Sequence, residues 1–204
     1  MKLFDGGRAP NPRRVRIFMA EKGITLDIVP VDMGALGHRQ PEIADRNPLR
    51  RLPVLELDDG RVITESVAIC RYLEETLAPE PSLFGNDAFA RARVEEWNRR
   101  LELNFYAAVA AAFRHIHPAM AEWEVPQLPE WGEANKPKAL DFLRMLDAHL
   151  VDKPFVAGEA FSIADITGLV ALDFTKLAKI AVPEELTNVR RWHADLAARE
   201  SAKA

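Results

Sequence analysis

Glu65 and Ser66 stand where two short apolar stretches give way to a helical pattern, a junction that can hold a small molecule carrying both signs of charge. Backbone N–H groups at a helix start bind a carboxylate, and a side chain such as Glu65 can pair with an ammonium. The plainer alternative is that Glu65 only complements the helix dipole. Pro53 precedes them at the head of the first stretch. Without an N–H it fits the first position of a strand, and it is one of the few residues at which a cis peptide bond is cheap. Near the N-terminus Asn11 lies between Pro10 and Pro12. Its amide could donate a hydrogen bond to a bound anion, or serve as a helix N-cap with Pro12 in the first helical position; both uses stay open. The single cysteine, Cys70, shares a helical pattern with Val67, Ile69 and Leu73 and reads as a small buried hydrophobe. With one cysteine no disulfide framework is possible. Ser162 and Asp165 form a capping-box pattern, with Phe161 placed to staple onto Ile166, so they concern folding rather than catalysis.

The elements that would position these residues follow from local pattern. Lys2-Leu3-Phe4 is a short strand, and a helix from Asn11 runs to a glycine stop at Gly23. Leu26 to Val31 alternates as a second strand, which makes a strand-helix-strand unit with parallel pairing. A short helix around Pro41 to Arg46 ends at Asn47-Pro48. Val54 to Leu57 and Arg61 to Thr64 then form a hairpin around Asp58-Asp59-Gly60, and a helix runs from Glu65 to about Leu77. From about Asp87 the pattern is helical: Asp87 to Ile116, an interruption from Pro118 to Pro129, then Lys138 to Leu150, Ile163 to Leu177 and Leu186 to Ala198. Pro79, Pro81 and Gly85 break the periodicity between the two parts. The expected division is residues 1–78, a linker at 79–86, and an all-helical part at 87–204.

With 204 residues, of which 48% are apolar, the chain has ample material for buried cores. A formal charge of −4 argues against nucleic-acid or anionic-membrane partners, and Arg13-Arg14-Val15-Arg16 reads as a solvated helix face, with one arginine allowed near a ligand. No run approaches the roughly 18 to 20 apolar residues of a membrane span. The N-terminus reads as a strand rather than a secretory signal, so the expected location is the cytoplasm.

Leu52-Pro53-Val54-Leu55 leading into a hairpin that ends in Glu65-Ser66 resembles the glutathione site of the cytosolic glutathione S-transferases. The stretch Ala9-Pro10-Asn11-Pro12-Arg13-Arg14-Val15-Arg16-Ile17-Phe18 with Ala20-Glu21-Lys22-Gly23, and the late Phe161-Ser162-Ile163-Ala164-Asp165, resemble bacterial, theta-like members. The resemblance runs over essentially the whole chain. It implies an N-terminal thioredoxin-like βαβαββα domain, an all-helical C-terminal domain and a homodimer. For the ligand it implies a γ-glutamyl end at Glu65 and Ser66, the Leu52 backbone paired with the cysteinyl part, and His38 and Arg51 holding the glycine carboxylate, where a cation has a clear purpose.

At the catalytic position the chain departs from the family. Where serine-type members place their serine it has Ala9, and neither the cysteine nor the tyrosine of other members is present; Tyr72 and Tyr106 come too late in the chain. Dithiol exchange at Ala9-Pro10-Asn11-Pro12 is therefore excluded. What remains is stabilising the thiolate of glutathione itself. Moving a thiol pKa from about 8.5 to about 6.5 needs about 2.7 kcal/mol, within reach of one hydrogen bond to the charged form plus a helix N-terminus. Asn11 is the candidate donor, with neighbouring backbone N–H groups, an ordered water or Arg13 behind it.

A hydrophobic, electrophilic second substrate would sit between the domains against the long helix, with Phe105, Ala108, Phe113 and Arg114 as candidates, although an aromatic or alanine stripe at helical spacing is more often core. Trp97, Trp123, Trp131 and Trp192 read as packing anchors. The implied activity is conjugation by glutathione, a co-substrate, with no metal. Glutathione-dependent peroxide reduction or dehalogenation at the same site, and a non-catalytic binding or interaction module, are the alternatives.

Overall fold

The computed structural model describes residues 1–78 and 80–204. Pro79, one of the expected breakers, lies outside the described residues. The chain forms two compact units, Met1–Leu83 together with Glu200–Ala204, and Phe84–Arg199.

The first unit follows the order β1 (Lys2–Asp5), α1 (Pro10–Lys22), β2 (Asp27–Pro30), α2 (Pro41–Ala44), β3 (Val54–Glu56), β4 (Val62–Thr64) and α3 (Ser66–Leu77). Its sheet has the strand order β2-β1-β3-β4. The pair β1 and β2 is parallel, as the α1 crossover requires, while β3 is antiparallel to both of its neighbours. Alternation along β1 and β3 sorts the side chains. Phe4 and Val54 lie in register and pack with Ile43 and Leu52. The next pair in register, Leu3 and Leu55, points to the opposite face and is fully buried. Helices α1 and α3 pack on each other and bury Val15, Phe18, Ile69, Cys70 and Leu73. Cys70 is the inert filler expected, and burial pushes its thiol far above the ordinary range.

Helix α1 starts two residues earlier than the Asn11 capping pattern predicts. Its N-cap is Ala9, with φ −64° and ψ 142°, and Pro10 takes the first helical position. The fixed φ of Pro10 is already helical, and this outweighs the capping preference of Asn11. The solvated-face reading of Arg13-Arg14-Val15-Arg16 is also corrected. Arg14 is fully buried, and Arg16 pairs with the buried Asp5.

In the second unit α4 (Ala88–Arg100), a π-helical turn (Leu101–Tyr106) and α5 (Ala107–Ile116) run on without a break, as the long periodic segment predicts. Helix α6 spans Pro129–His149 and so starts well before the expected Lys138. Pro137 sits inside it, where a proline normally ends a helix. Tertiary packing overrides that preference: Gly132 lies so close to α5 that a Cβ there would meet Ile116 Cγ1 at 2.6 Å.

Helices α7 (Ile163–Phe174) and α8 (Thr187–Ala197) are knotted together by Asp165. Its carboxylate accepts from the Val156 N–H at 2.8 Å, the Ser162 N–H and hydroxyl at 2.9 Å each, and Trp192 Nε1 at 3.0 Å. Phe161 rests edge-on against Phe155 and beneath the Arg199 guanidinium. Trp97 and Trp192 are the buried anchors expected. Trp131 is not, being 49% exposed with Lys138 over its ring. No described helix is long and apolar enough to cross a membrane.

Candidate functional site

The hairpin that delivers Glu65 and Ser66 closes through Leu57 N–H to Arg61 O at 2.8 Å and Gly60 N–H to Leu57 O at 3.0 Å, with Gly60 at φ +83°. Such a loop favours glycine at that position. The Leu52–Pro53 peptide is cis, and strand pairing begins only at Val54, which leaves Leu52 ahead of the ladder. At the other end of the hairpin Glu65 has φ +66° and ψ 115°, a conformation that side-chain-bearing residues rarely adopt. Its carbonyl accepts from Ile69 N–H at 2.9 Å to start α3, while its side chain is exposed and makes no capping bond.

Ser66, the first residue of α3, is buried, and its Oγ accepts a hydrogen bond from Arg14 Nη1 at 2.7 Å. Sequence reasoning missed Arg14 because a run of arginines looks solvated. The available signal was its helical spacing to Phe18, which places it on the buried face of α1.

His38 sits in a 3-10 turn, Gly37–Arg39. It is buried, and that burial, followed by the positive charges of Arg39 and Arg51, lowers its pKa. Burial and the two neighbouring cations thus both favour the neutral ring. Arg51 is exposed. The loop that carries it is shaped by Asn47, which the sequence reading did not single out: Asn47 Nδ2 donates to Arg51 O at 2.9 Å, and its Oδ1 accepts from Leu49 N–H at 3.1 Å. The Asn-Pro dipeptide was the signal, since asparagine side chains commonly bond their own backbone in turns.

At the start of α1 the choice left open for Asn11 narrows. No side chain caps this helix, and Asn11 Oδ1 is buried with no hydrogen-bond partner among the described residues. Pro10 and Pro12 have no N–H, the Ala9 N–H points to Gly6 O at 3.5 Å, and the Arg13 N–H already bonds Ala9 O at 3.1 Å. Among the described residues the main-chain N–H of Asn11 is thus the one donor of the first turn without a partner. The Arg13 guanidinium is turned to the C-terminal segment, donating to Ala202 O at 2.9 Å. The loop ahead of α1 is fixed by Asp5, which accepts from the Gly7 N–H and pairs with Arg16. At Gly6 a Cβ would come within 3.2 Å of Leu52 Cδ1, so this loop lies directly against the residue that precedes Pro53.

The remaining candidates belong to the second unit. Phe105 and Ala108 are buried, with the Phe105 ring stacked on Phe142 at 5.7 Å, and serve its core. Phe113 is half-buried between Phe174 at 4.9 Å and His117 at 4.8 Å. Arg114 is half-buried, and its carbonyl accepts from Gln127 Nε2 at 2.8 Å. Tyr106, also against Phe174, extends the half-buried aromatic group beyond what the sequence reading chose. Its heptad spacing to Phe113 was the usable signal. Among the described residues no group of side chains is arranged to hold a metal ion.

Comparison with known proteins bears on the whole chain. The family model described as glutathione S-transferase, N-terminal domain, matches residues 9–76, and the model for the glutathione S-transferase C-terminal domain matches residues 132–200. Glutathione S-transferase 2 of Saccharomyces cerevisiae is 36% identical over 100% of this chain and 88% of its own length. Glutathione S-transferase 3 of Zea mays is 28% identical over 98% of this chain and 90% of its own. Among solved structures, a glutathione S-transferase domain-containing protein of Marinobacter aquaeolei superposes with a TM-score of 0.94 at 39% identity, covering 98% of this chain and 99% of that one. Gtt2 of Saccharomyces cerevisiae gives 0.94 at 36% identity, covering 100% and 99%.

Proposed function

The chain belongs to the glutathione S-transferase family, with glutathione as its co-substrate, and we propose that Glu65 and Ser66 hold the γ-glutamyl end while Asn11 stabilises the thiolate. The enzyme conjugates glutathione to an electrophilic small molecule: the thiol gives up its proton, the sulfur forms a bond to the electrophilic carbon, and the leaving group departs or the acceptor bond saturates. Neither peroxide reduction nor a purely structural role is favoured by the relatives.

One observation carries the assignment of Asn11, namely that its side chain is not used as a cap while, among the described residues, its N–H is the one donor of the first turn without a partner. Prolines on both sides concentrate the donor capacity of that helix start in a single residue. Two donors of one residue, the main-chain N–H and the amide after rotation about its terminal bond, can address the same sulfur. Each hydrogen bond to a charged partner contributes about 1.5 to 3 kcal/mol, so one or two supply the roughly 2.7 kcal/mol that a two-unit drop in thiol pKa requires. Arg13, engaged by Ala202, is assigned to hold α1 in place. Ala9 contributes only its small size beside the sulfur.

Leu52 offers its main chain to the cysteinyl part. Arg51 with the neutral N–H of His38 takes the glycine carboxylate. The electrophile meets the half-buried face of Phe113 and Arg114, which favours an aromatic or otherwise apolar compound. Family membership supports a homodimer acting in the cytoplasm in detoxification, with residues 1–78 as the glutathione-binding domain, 79–86 as linker and 87–204 as the helical domain.

The test is a pH titration of thiolate absorbance with glutathione bound. Wild type should titrate clearly below the free thiol, and Asn11→Ala should return part of that shift while binding glutathione nearly as well. Glu65→Ala should do the reverse, weakening binding with little effect on the thiol. Equal loss of binding from both variants would refute the division of roles.

A further inference from the structure

We propose that the stretch from Pro118 to Leu128 is a pH-sensitive strap between α5 and α6, latched by the neutral imidazoles of His115 and His117 and loosened by acid. The inference rests on the reading that an electrophile meets Phe113 and Arg114, and goes beyond it by naming what holds the edge of that face.

A backbone N–H can only donate, so a ring nitrogen that meets one must carry a free lone pair. His115 Nδ1 accepts from the Leu128 N–H at 3.1 Å, and His117 Nδ1 accepts from the Ala119 N–H at 3.2 Å. The first bond closes the C-terminal end of the strap and the second its N-terminal end. Each ring therefore bears its single proton on Nε2, which in His115 lies 3.7 Å from Glu124 Oε1. A second proton has to go to Nδ1, where it would point at an N–H. Protonating either ring thus breaks the bond that latches one end.

Little else holds the C-terminal end. The first half of the strap is a 3-10 turn, Pro118–Met120, continued by the N–H groups of Trp123 and Glu124 on Met120 O. From Val125 to Leu128 no main-chain N–H meets a main-chain acceptor among the described residues. That stretch is fastened by the Leu128 bond to His115 and by Gln127 Nε2, which donates to Arg114 O at 2.8 Å and to His117 O at 3.0 Å. Val125 and Leu128 are exposed, so apolar burial adds little.

The charges around the two rings permit the change. His115 is backed by α6 at the uncharged Gly132, where a Cβ would come within 3.2 Å of the His115 Cβ. Arg114 is its neighbour on α5; Glu122 of the strap and Glu130 and Glu133 at the start of α6 are exposed, and Glu133 pairs with Lys136. Glu124 is the acid set against the ring itself. His117 leans on the Phe113 ring at 4.8 Å, and on α7, which also packs on α5, Asp173 is paired with His193. Both histidines stand at the carbonyl end of α5. A protonated ring therefore has Glu124, an aromatic face and the end of a helix to turn to, and trades the Leu128 and Ala119 bonds for them. Histidine makes such a change between about pH 8 and about pH 5. Because His117 leans on Phe113, the trade also moves one wall of the face that the electrophile meets.

The experiment follows amide hydrogen exchange by NMR, as protection factors, in wild type, His115→Asn, His117→Asn and the double variant. In wild type the protection of Leu128 and Ala119 should fall about two- to ten-fold from about pH 8 to about pH 5, the range of one net hydrogen bond, while Leu169 and Val170 in α7 keep theirs. Asparagine carries its carbonyl oxygen on Cγ, where histidine carries Nδ1, and takes no charge. His115→Asn should therefore hold Leu128 level with pH, and His117→Asn should do the same for Ala119. With glutathione saturating, KM for an activated aryl chloride should rise over the same interval by a similar factor in wild type and stay level in the double variant; comparing the two removes the pH dependence of the thiol, which they share. Protection of Leu128 and Ala119 that stays level in wild type, or falls as much in the asparagine variants, would overturn the latch. Protection that falls while KM moves alike in wild type and double variant would overturn the control of the electrophile. A wild type that conjugates no electrophile would remove the proposed function, and the amide measurement would still decide the latch.

Discussion

At the scale of single residues the site is marked by conformations and burials that a purely structural segment would avoid. Glu65 holds φ +66° with a side chain attached, and residues in such regions cost about 1 to 3 kcal/mol each. Because its side chain reaches solvent, that strain is separable from the ligand contact. Glu65→Ala keeps the strain and Glu65→Gly relieves it, while both remove the carboxylate. Both variants should therefore bind glutathione with the same reduced affinity. In urea denaturation the glycine variant should be the more stable by about 1 kcal/mol, after the entropy lost by ordering a glycine is set against the relief. Unequal glutathione affinities would mean that the backbone turn, and not the carboxylate, is what the ligand reads. Residues of this kind differed in how legible they were. Pro53 and Glu65-Ser66 could be found because a hairpin signal flanks them within a few positions. Arg14 could not, because its partner Ser66 lies far along the chain and charge in sequence looks the same whether solvated or buried. Of the two uses open to Asn11, the structure does not show the N-cap, since the fixed φ of Pro10 decided where the helix begins.

At the scale of elements, close approach rather than propensity sets the helical unit. Gly168 in α7 lies against Trp192 of α8 so tightly that a Cβ would fall 2.2 Å from the indole Cη2. The ring has nowhere to go, being fully buried and tied through Nε1 to Asp165 Oδ1 at 3.0 Å. Gly168→Ala should destabilise the protein by about 3 kcal/mol, the upper part of the usual overpacking range, despite the better helix propensity of alanine. A urea titration checks this, and a loss below about 0.5 kcal/mol would show that α7 and α8 separate freely. The same principle explains which elements were legible. The strands and α1, α3 and α7 could be read because their periodicity and end signals are local. The start of α6 could not, because Pro137 is a stop signal that only the packing of Gly132 against Ile116 overrides. The return of Glu200–Ala204 to the first unit was equally hidden. It depends on contacts such as Arg13 to Ala202 and Ser201 to Glu21, which join nearly opposite ends of the sequence.

At the scale of the whole molecule, the buried Asp165 ties stability to pH. Burial raises its pKa to about 6, against the pull of the N–H and O–H donors around it. In the unfolded chain the same carboxyl titrates near 3.9. Between these values the folded protein binds more protons than the unfolded one, so stability falls as pH rises from about 4 to about 6 and is level above that. The two-unit gap corresponds to about 3 kcal/mol. Other carboxylates that are paired in the folded state act with the opposite sign, so total stability does not isolate the effect. The difference between wild type and Asp165→Asn does. Asparagine cannot ionise, and it also sets an amide against donors that need an acceptor, so the variant should be less stable at every pH. Its deficit should nonetheless shrink as pH rises from about 4 to about 6, because only the wild type then loses stability by ionising Asp165. A deficit that stays constant over that range would mean that Asp165 is already ionised at pH 4. The four donors on its carboxylate would then outweigh its burial, and the capping box would be a charged cap rather than a neutral one.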